Sequence, residues 1–201
     1  MEVFINCPLD TAYLKLLRPL VFTLMYLGQG PRIAIEDTAS DRNRLEKIVG
    51  LMRLCPISIH DLSRIRSTTG GELSRMNMPF ELGVDYGLRA ASEQPMNKRF
   101  IVLEEERYSY QKALSDYAGF DILCHDGSPA RMVKVIRDWF LNNGIVTTAD
   151  GGAAMWYAYN ECWAFILDRL VGRGYSEDET AEIPHREFTA LVSEWIRKPR
   201  G

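Results

Sequence analysis

The chain has 201 residues, of which 46% are hydrophobic and 25% charged, and its formal net charge is −3. This balance supplies a full apolar core and argues against disorder. It also argues against a dedicated nucleic-acid surface, which needs a basic patch.

No basic, apolar and small-residue succession of a secretory signal opens the sequence. The longest apolar run, residues 20–27, falls far short of the ~20 residues that span a bilayer. Cys7, Cys55, Cys124 and Cys162 contain no C-x-x-C pair and read as small buried hydrophobes. The expectation is a cytoplasmic protein with no membrane or nucleic-acid partner.

Val3-Phe4-Ile5-Asn6-Cys7-Pro8 reads as a buried strand running into a loop, after which Asp10 can cap a helix beginning at Thr11. Leu14, Leu17, Val21, Leu24 and Met25 recur at helical spacing, and Pro19 among them predicts a kink or a split. A second strand is expected over residues 32–36. A helix capped by Asp41 follows, with Leu45, Ile48, Val49 and Met52 on one face. Residues 57–62 alternate as a third strand.

Residues 67–77, with Thr68-Thr69-Gly70-Gly71, read as a binding loop or lid. Residues 78–91 have helical pattern, residues 99–103 and 121–125 read as the fourth and fifth strands, and residues 110–117 as a short helix stopped by Gly119. Pro129 opens another helix, which Gly144 ends.

Strands thus alternate with helices, the pattern of a doubly wound α/β fold. The economical arrangement is a flavodoxin-like five-stranded parallel sheet in the order 2-1-3-4-5. Residues 1–146 form this α/β domain. Residues 147–201 form a C-terminal helical extension, with aromatic helices over 155–170 and from Pro184 onward.

Ligands of such sheets sit beyond the carboxyl ends of the strands, where the strand order reverses. That rule nominates Asn6, Pro8 and Asp10 after the first strand. It nominates His60, Asp61, Ser63 and Arg64 after the third, with Asn77 and Glu81 further on, and Glu104, Glu105 and Glu106 after the fourth. Glu81 stands early in a helix among apolar residues. The helix dipole favours its charged form and desolvation opposes it; the plain alternative is a carboxylate that caps backbone N–H groups.

Adjacent His60 and Asp61 point to opposite faces of a strand, and His60 reads better as structural. The three consecutive glutamates read as a solvated acidic turn, and Arg64 and Arg75 as loop charges that can meet a phosphate. There is no metal-ligand spacing, no G-x-G-x-x-G and no Walker loop.

Three segments carry a resemblance: Val3-Phe4-Ile5-Asn6-Cys7-Pro8 with Asp10, Ile59-His60-Asp61-Leu62-Ser63, and Pro79-Phe80-Glu81-Leu82-Gly83. In this order the chain resembles the superfamily that joins nucleoside deoxyribosyltransferases with Toll/interleukin-receptor (TIR) type domains, over roughly residues 3 to 140. The resemblance implies Glu81 as the catalytic carboxylate of an N-glycoside hydrolase or transferase acting on a nucleoside, a nucleotide or NAD. Asn6, Pro8, Asp10, Asp61, Ser63 and Asn77 would hold the substrate.

It implies a homo-oligomer and no metal or cofactor, NAD entering only as a substrate. The other reading is a non-catalytic, nucleotide-sensing or self-associating TIR-like signalling module, as in bacterial defence. A response regulator fits less well, because only Asp10 offers an acidic group after the first strand and the lysine after the fifth is missing.

Overall fold

The computed structural model describes residues 1–36, 43–65, 76–91, 98–112, 114–117 and 121–198. They form two compact units, residues 1–9 with 30–127 and residues 10–29 with 128–201. The first unit holds an all-parallel sheet of β1 (Glu2–Asn6), β2 (Gly30–Ile33), β3 (Ile57–Asp61), β4 (Arg99–Glu104) and β5 (Leu123–Cys124). The strand order is β2-β1-β3-β4-β5, so the fold is the expected flavodoxin-like, doubly wound α/β class.

Val3, Phe4 and Ile5 are buried, which is why β1 reads as an apolar run; all five residues of β3 are buried too, although its sequence alternates, because Ser58, His60 and Asp61 are enclosed as well. Register pairs Ile5 with Ile33 on one side and Ile59 on the other, and sets Asn6 beside His60. The switch point of the sheet therefore lies between the ends of β1 and β3.

Two helices of this unit are α2 (Arg44–Leu54) and α3 (Asn77–Ala90). Ile48, Leu51, Met52 and Cys55 pack with Phe4 of β1, and Val84 and Leu88 of α3 close that cluster. A second cluster joins Leu62, Ile65, Leu82, Val102 and Tyr110.

The second unit is helical: α1 (Leu14–Tyr26), α4 (Pro129–Asn142), α5 (Gly152–Val171), α6 (Glu177–Ala181) and α7 (His185–Arg197). Phe22 of α1 meets the rings of Tyr26, Tyr159 and Trp195 at centroid distances of 5.4, 5.5 and 5.7 Å. Arg18 lays its guanidinium over Trp163 at 4.6 Å and donates to the Ala181 carbonyl at 2.6 Å. Burial lowers its pKa, against the opposing pull of Tyr159.

Several elements differ from the sequence reading. The second strand begins and ends earlier than residues 32–36, because Glu36 accepts from the Ile33 N–H at 2.6 Å and from Arg32 at 2.8 Å. Those bonds turn the chain into a 3-10 helix, Ala34–Glu36. α1 is not split at Pro19; proline removes one donor, while the buried Leu16, Leu17, Leu20, Val21 and Leu24 hold one continuous helix.

Asn43 caps α2 by accepting from the Leu45 N–H at 2.9 Å; Asp41, the expected cap, lies outside the described residues. Gly119 lies outside them too. In place of one helix over 110–117 there are two 3-10 turns, Tyr110–Lys112 and Ser115–Tyr117. α6 was not anticipated, although Ser176 and Glu179 form a reciprocal capping box.

Phe22→Ala removes the ring around which the aromatic cluster is built. It should destabilise the protein by about 3–5 kcal/mol, whereas Asn43→Ala should cost about 1 kcal/mol; urea denaturation of both variants measures the contrast.

Candidate active site

The end of β1 and the end of β3 begin the site. The Asn6 amide nitrogen donates to His60 Nδ1 at 3.0 Å and to the Met78 carbonyl, in the first turn of α3, at 3.2 Å. An acceptor at Nδ1 places the imidazole proton on Nε2. From there it is donated to Asp85 Oδ2 of α3 at 3.1 Å.

Lys98, just before β4, meets Asp85 Oδ1 at 2.5 Å and also donates to the Met52 carbonyl at the end of α2. His60, Asp85 and Lys98 are all buried. Burial lowers the His60 pKa, and the Asp85 hydrogen bond and charge only partly oppose it, so the ring is neutral at pH 7. Burial alone would raise the Asp85 pKa; hydrogen bonds from His60 and Lys98 and the Lys98 charge prevail and hold it below the ordinary value.

Asp61 faces the other way, as strand alternation requires. It is 0% exposed and accepts from the Ser63 N–H at 2.8 Å, from the Ser63 hydroxyl and from His125 Nε2 at 3.1 Å. Ser63 Oγ lies 3.0 Å from the same ring nitrogen.

The members of a nucleophilic triad are present, but the geometry forbids that chemistry. The Gly127 N–H donates to His125 Nδ1 at 3.1 Å, so Nε2 carries the proton and cannot accept one from Ser63. The cluster instead ties the turn after β3 to the end of β5.

Glu104 corrects the expectation of a solvated acidic turn. It is 2% exposed, and its carboxylate accepts from the N–H groups of Tyr108, Ser109 and Tyr110 at 2.6, 3.1 and 3.4 Å. Glu105 and Glu106 are the exposed pair.

Glu81 is the fifth residue of α3 and only 7% exposed. Its position excludes a capping role, since the first-turn amides precede it and Met76 accepts from Phe80. Burial raises its pKa, and the charge of Arg44 on α2 offsets only part of that rise. Among the described residues no hydrogen bond or ion pair reaches its carboxylate.

Glu81 follows Met78 by three residues and precedes Asp85 by four, so the three share one face of α3. Glu81 therefore lies between the two points at which Asn6 and His60 hold α3.

The first unit carries Asn6, Asp61, Ser63 and Glu81 around the carboxyl ends of β1 and β3. Pro8 is buried in the same unit, and Asn77 opens α3 with its side chain exposed. Asp10 belongs to the second unit, where it accepts from the Tyr13 N–H at 3.1 Å and caps the 3-10 turn Thr11–Tyr13.

Arg64 is exposed; Arg75 and Thr68-Thr69-Gly70-Gly71 lie outside the described residues. Asp85, Lys98 and His125 are the participants that sequence reading did not single out in these roles. The i,i+4 spacing of Glu81 and Asp85 was the one local signal.

The four cysteines are buried and form no disulfide, and burial pushes the thiols of Cys55 and Cys162 up to about 11 and about 12, outside the reactive range. No group of three or more metal-binding side chains occurs among the described residues, and no described helix is long and apolar enough to cross a membrane. A cavity of about 600 Å³ in the second unit, beside Arg131, Lys134 and Trp156, includes none of the residues above. No family model matches the chain, and no curated protein matches it.

Two outcomes follow for stability. Lys98→Met leaves the Asp85 carboxylate buried without its cation and should cost about 3–5 kcal/mol. Glu81 has the opposite sign. Its raised pKa means that the folded state holds the proton more tightly than the unfolded chain. Its contribution is therefore full below the unfolded value of 4.5 and is lost as pH rises through the folded value. Glu81→Gln should accordingly be more stable than wild type at pH 8, with the gain vanishing toward pH 4; urea midpoints across that range read it directly.

Proposed function

We propose that the protein cleaves the N-glycosidic bond of a nucleoside, a nucleotide or NAD, with Glu81 as the catalytic carboxylate. One observation carries this reading. Among the described residues four carboxylates are buried: Asp61, Glu81, Asp85 and Glu104. Three of them are satisfied by hydrogen bonds or a cation. Glu81 is desolvated without such partners among the described residues, on the helix whose first turn is held by Asn6 at the end of β1, where sheets of this class bind ligands.

The chemistry follows from the charge that the reaction develops. As the C1′–N bond breaks, its electron pair leaves with the base and positive charge grows on the ribosyl ring. A carboxylate in a dry site stabilises that charge far better than one in water. It can also close on C1′ to form a ribosyl ester, with water or a second base then displacing the carboxylate. Transfer and hydrolysis differ only in that second acceptor.

Asn6 is buried and hydrogen-bonded to the first turn of α3, whereas Asp61 is buried and bonded on the opposite face of β3. Pro8, Ser63 and Asn77 belong to the same unit and stay candidates for holding the substrate; Asp10 belongs to the second unit, where it caps a 3-10 turn. A cytoplasmic setting suits the buried, unbridged thiols, and a homo-oligomer remains part of the proposal by resemblance.

A second reading has one specific observation in its favour. The carboxylate of Asp61, expected to hold the substrate, is occupied by Ser63 and His125. A nucleotide-sensing or self-associating module needs no such free aspartate.

The test incubates wild type and Glu81→Gln with NAD and a panel of nucleosides and nucleotides, and quantifies released base by chromatography. Wild type should release base from at least one, and Glu81→Gln should be slower by at least about a hundredfold. Equal release by both proteins overturns the assignment of Glu81. Calorimetric binding with no release by wild type selects the sensing module.

A further inference from the structure

We infer that Asn6, His60 and Asp85 form a two-point clamp whose task is to position Glu81, an inference that rests on the reading of Glu81 as the catalytic carboxylate. α3 is gripped at two places on one face. The Asn6 amide holds the Met78 carbonyl at 3.2 Å, three residues before Glu81. His60 holds the Asp85 carboxylate at 3.1 Å, four residues after it. The grips are one device, because Asn6 and His60 are themselves joined at 3.0 Å and sit in register on β1 and β3.

The donors run in one direction only. Both Asn6 amide protons are given away, one to Met78 and one to His60 Nδ1. That forces the imidazole proton to Nε2, where Asp85 accepts it. A slip of α3 along the sheet breaks both ends at once. Apolar contacts such as those of Val84 and Leu88 with Phe4 carry no such directionality.

Stability alone does not account for this arrangement. Replacing a buried ion pair by apolar groups of similar volume is often neutral or favourable. Position does account for it, since a displacement of about 1 Å in a reacting group can cost a hundredfold in rate. Lys98 completes the device electrostatically. Asp85 lies one turn beyond Glu81, and Lys98 neutralises it from before β4, leaving Arg44 on α2 as the charge that acts on Glu81.

Two charge-free variants separate clamp from core: Asp85→Leu with Lys98→Met, and Asp85→Asn with Lys98→Met. Both remove the ion pair, but only asparagine can still accept from His60 Nε2. The asparagine version should keep a urea midpoint near that of wild type, and the leucine version, which leaves the His60 Nε2–H without an acceptor, should have a lower one. On whichever nucleoside, nucleotide or NAD wild type turns over, the leucine version should lose at least about tenfold in kcat with KM little changed. The asparagine version should restore it.

Asn6→Ala, which leaves His60, Asp85 and Lys98 in place, should lose kcat like the leucine version, and it decides the matter if that version does not fold. Carbon-13 NMR of the Glu81 carboxyl supplies a readout independent of turnover. Its titration should move toward that of an ordinary glutamate in the leucine and Asn6→Ala variants and stay put in the asparagine version. Rates that merely track the folded fraction, or leucine and asparagine versions that behave alike, overturn the clamp. If wild type releases no base, glycosidic chemistry fails, and an unmoved Glu81 titration in the leucine and Asn6→Ala variants then overturns the clamp on its own.

Discussion

The Asp85 carboxylate, shut away from water between His60 and Lys98, is the constraint around which the sheet-bearing unit is arranged. An isolated buried carboxylate would cost several kcal/mol, roughly, or take up a proton. Here it has a cation and a neutral imidazole donor. Meeting that need draws five segments to one point: the end of β1 through Asn6, β3 through His60, the residue before β4 through Lys98, α3 through Asp85 itself, and the end of α2 through the Met52 carbonyl. Apolar burial supplies the bulk of the driving force for such a core. The polar network decides which register the apolar elements adopt.

The carboxyl ends of the strands repeat one solution. Asp61 at the end of β3 and Glu104 at the end of β4 each turn inward and accept N–H groups from the chain that follows them. A carboxylate that gathers backbone amides makes an ordered turn out of a segment whose own peptide groups would otherwise need water. Both lie where an open α/β sheet binds ligands, so the rim of the site is built from acidic residues that are already spent. Among the described residues Glu81 is the exception, a buried carboxylate that no hydrogen bond or ion pair reaches.

How much of this was legible varies with the range of the interaction. β1 and β4 were readable because buried parallel strands are apolar runs, β3 because its residues alternate, and the order of the sheet followed from their alternation with helices. Asn6 and Asp61 stand at the ends of β1 and β3 and Glu81 in the second turn of α3, positions that the rule for ligands of open sheets nominates. The early end of β2 was not readable, because it depends on Glu36 reaching back to the Ile33 N–H.

The partners of the two histidines were hidden for a related reason. Asp85 lies 25 residues from His60, and His125 lies 64 from Asp61. No local pattern marks a pair so separated. Reading His60 as structural agrees with its buried, fully bonded ring, whereas Glu104 was misread because three consecutive glutamates look solvated whichever one turns inward.

The charge state of Glu81 shows how placement settles a question that composition leaves open. A helix N-terminus lowers a carboxyl pKa and burial raises it, and a glutamate early in a helix is subject to both. The dipole acts mainly through the free amides of the first turn and fades beyond it. Glu81 is the fifth residue of α3, past those amides, and it lies on the buried face. Desolvation therefore prevails, with the more distant Arg44 charge recovering only part of the loss. A carboxylate held in that condition gains from any positive charge that approaches it, because that charge supplies the stabilisation that burial has removed.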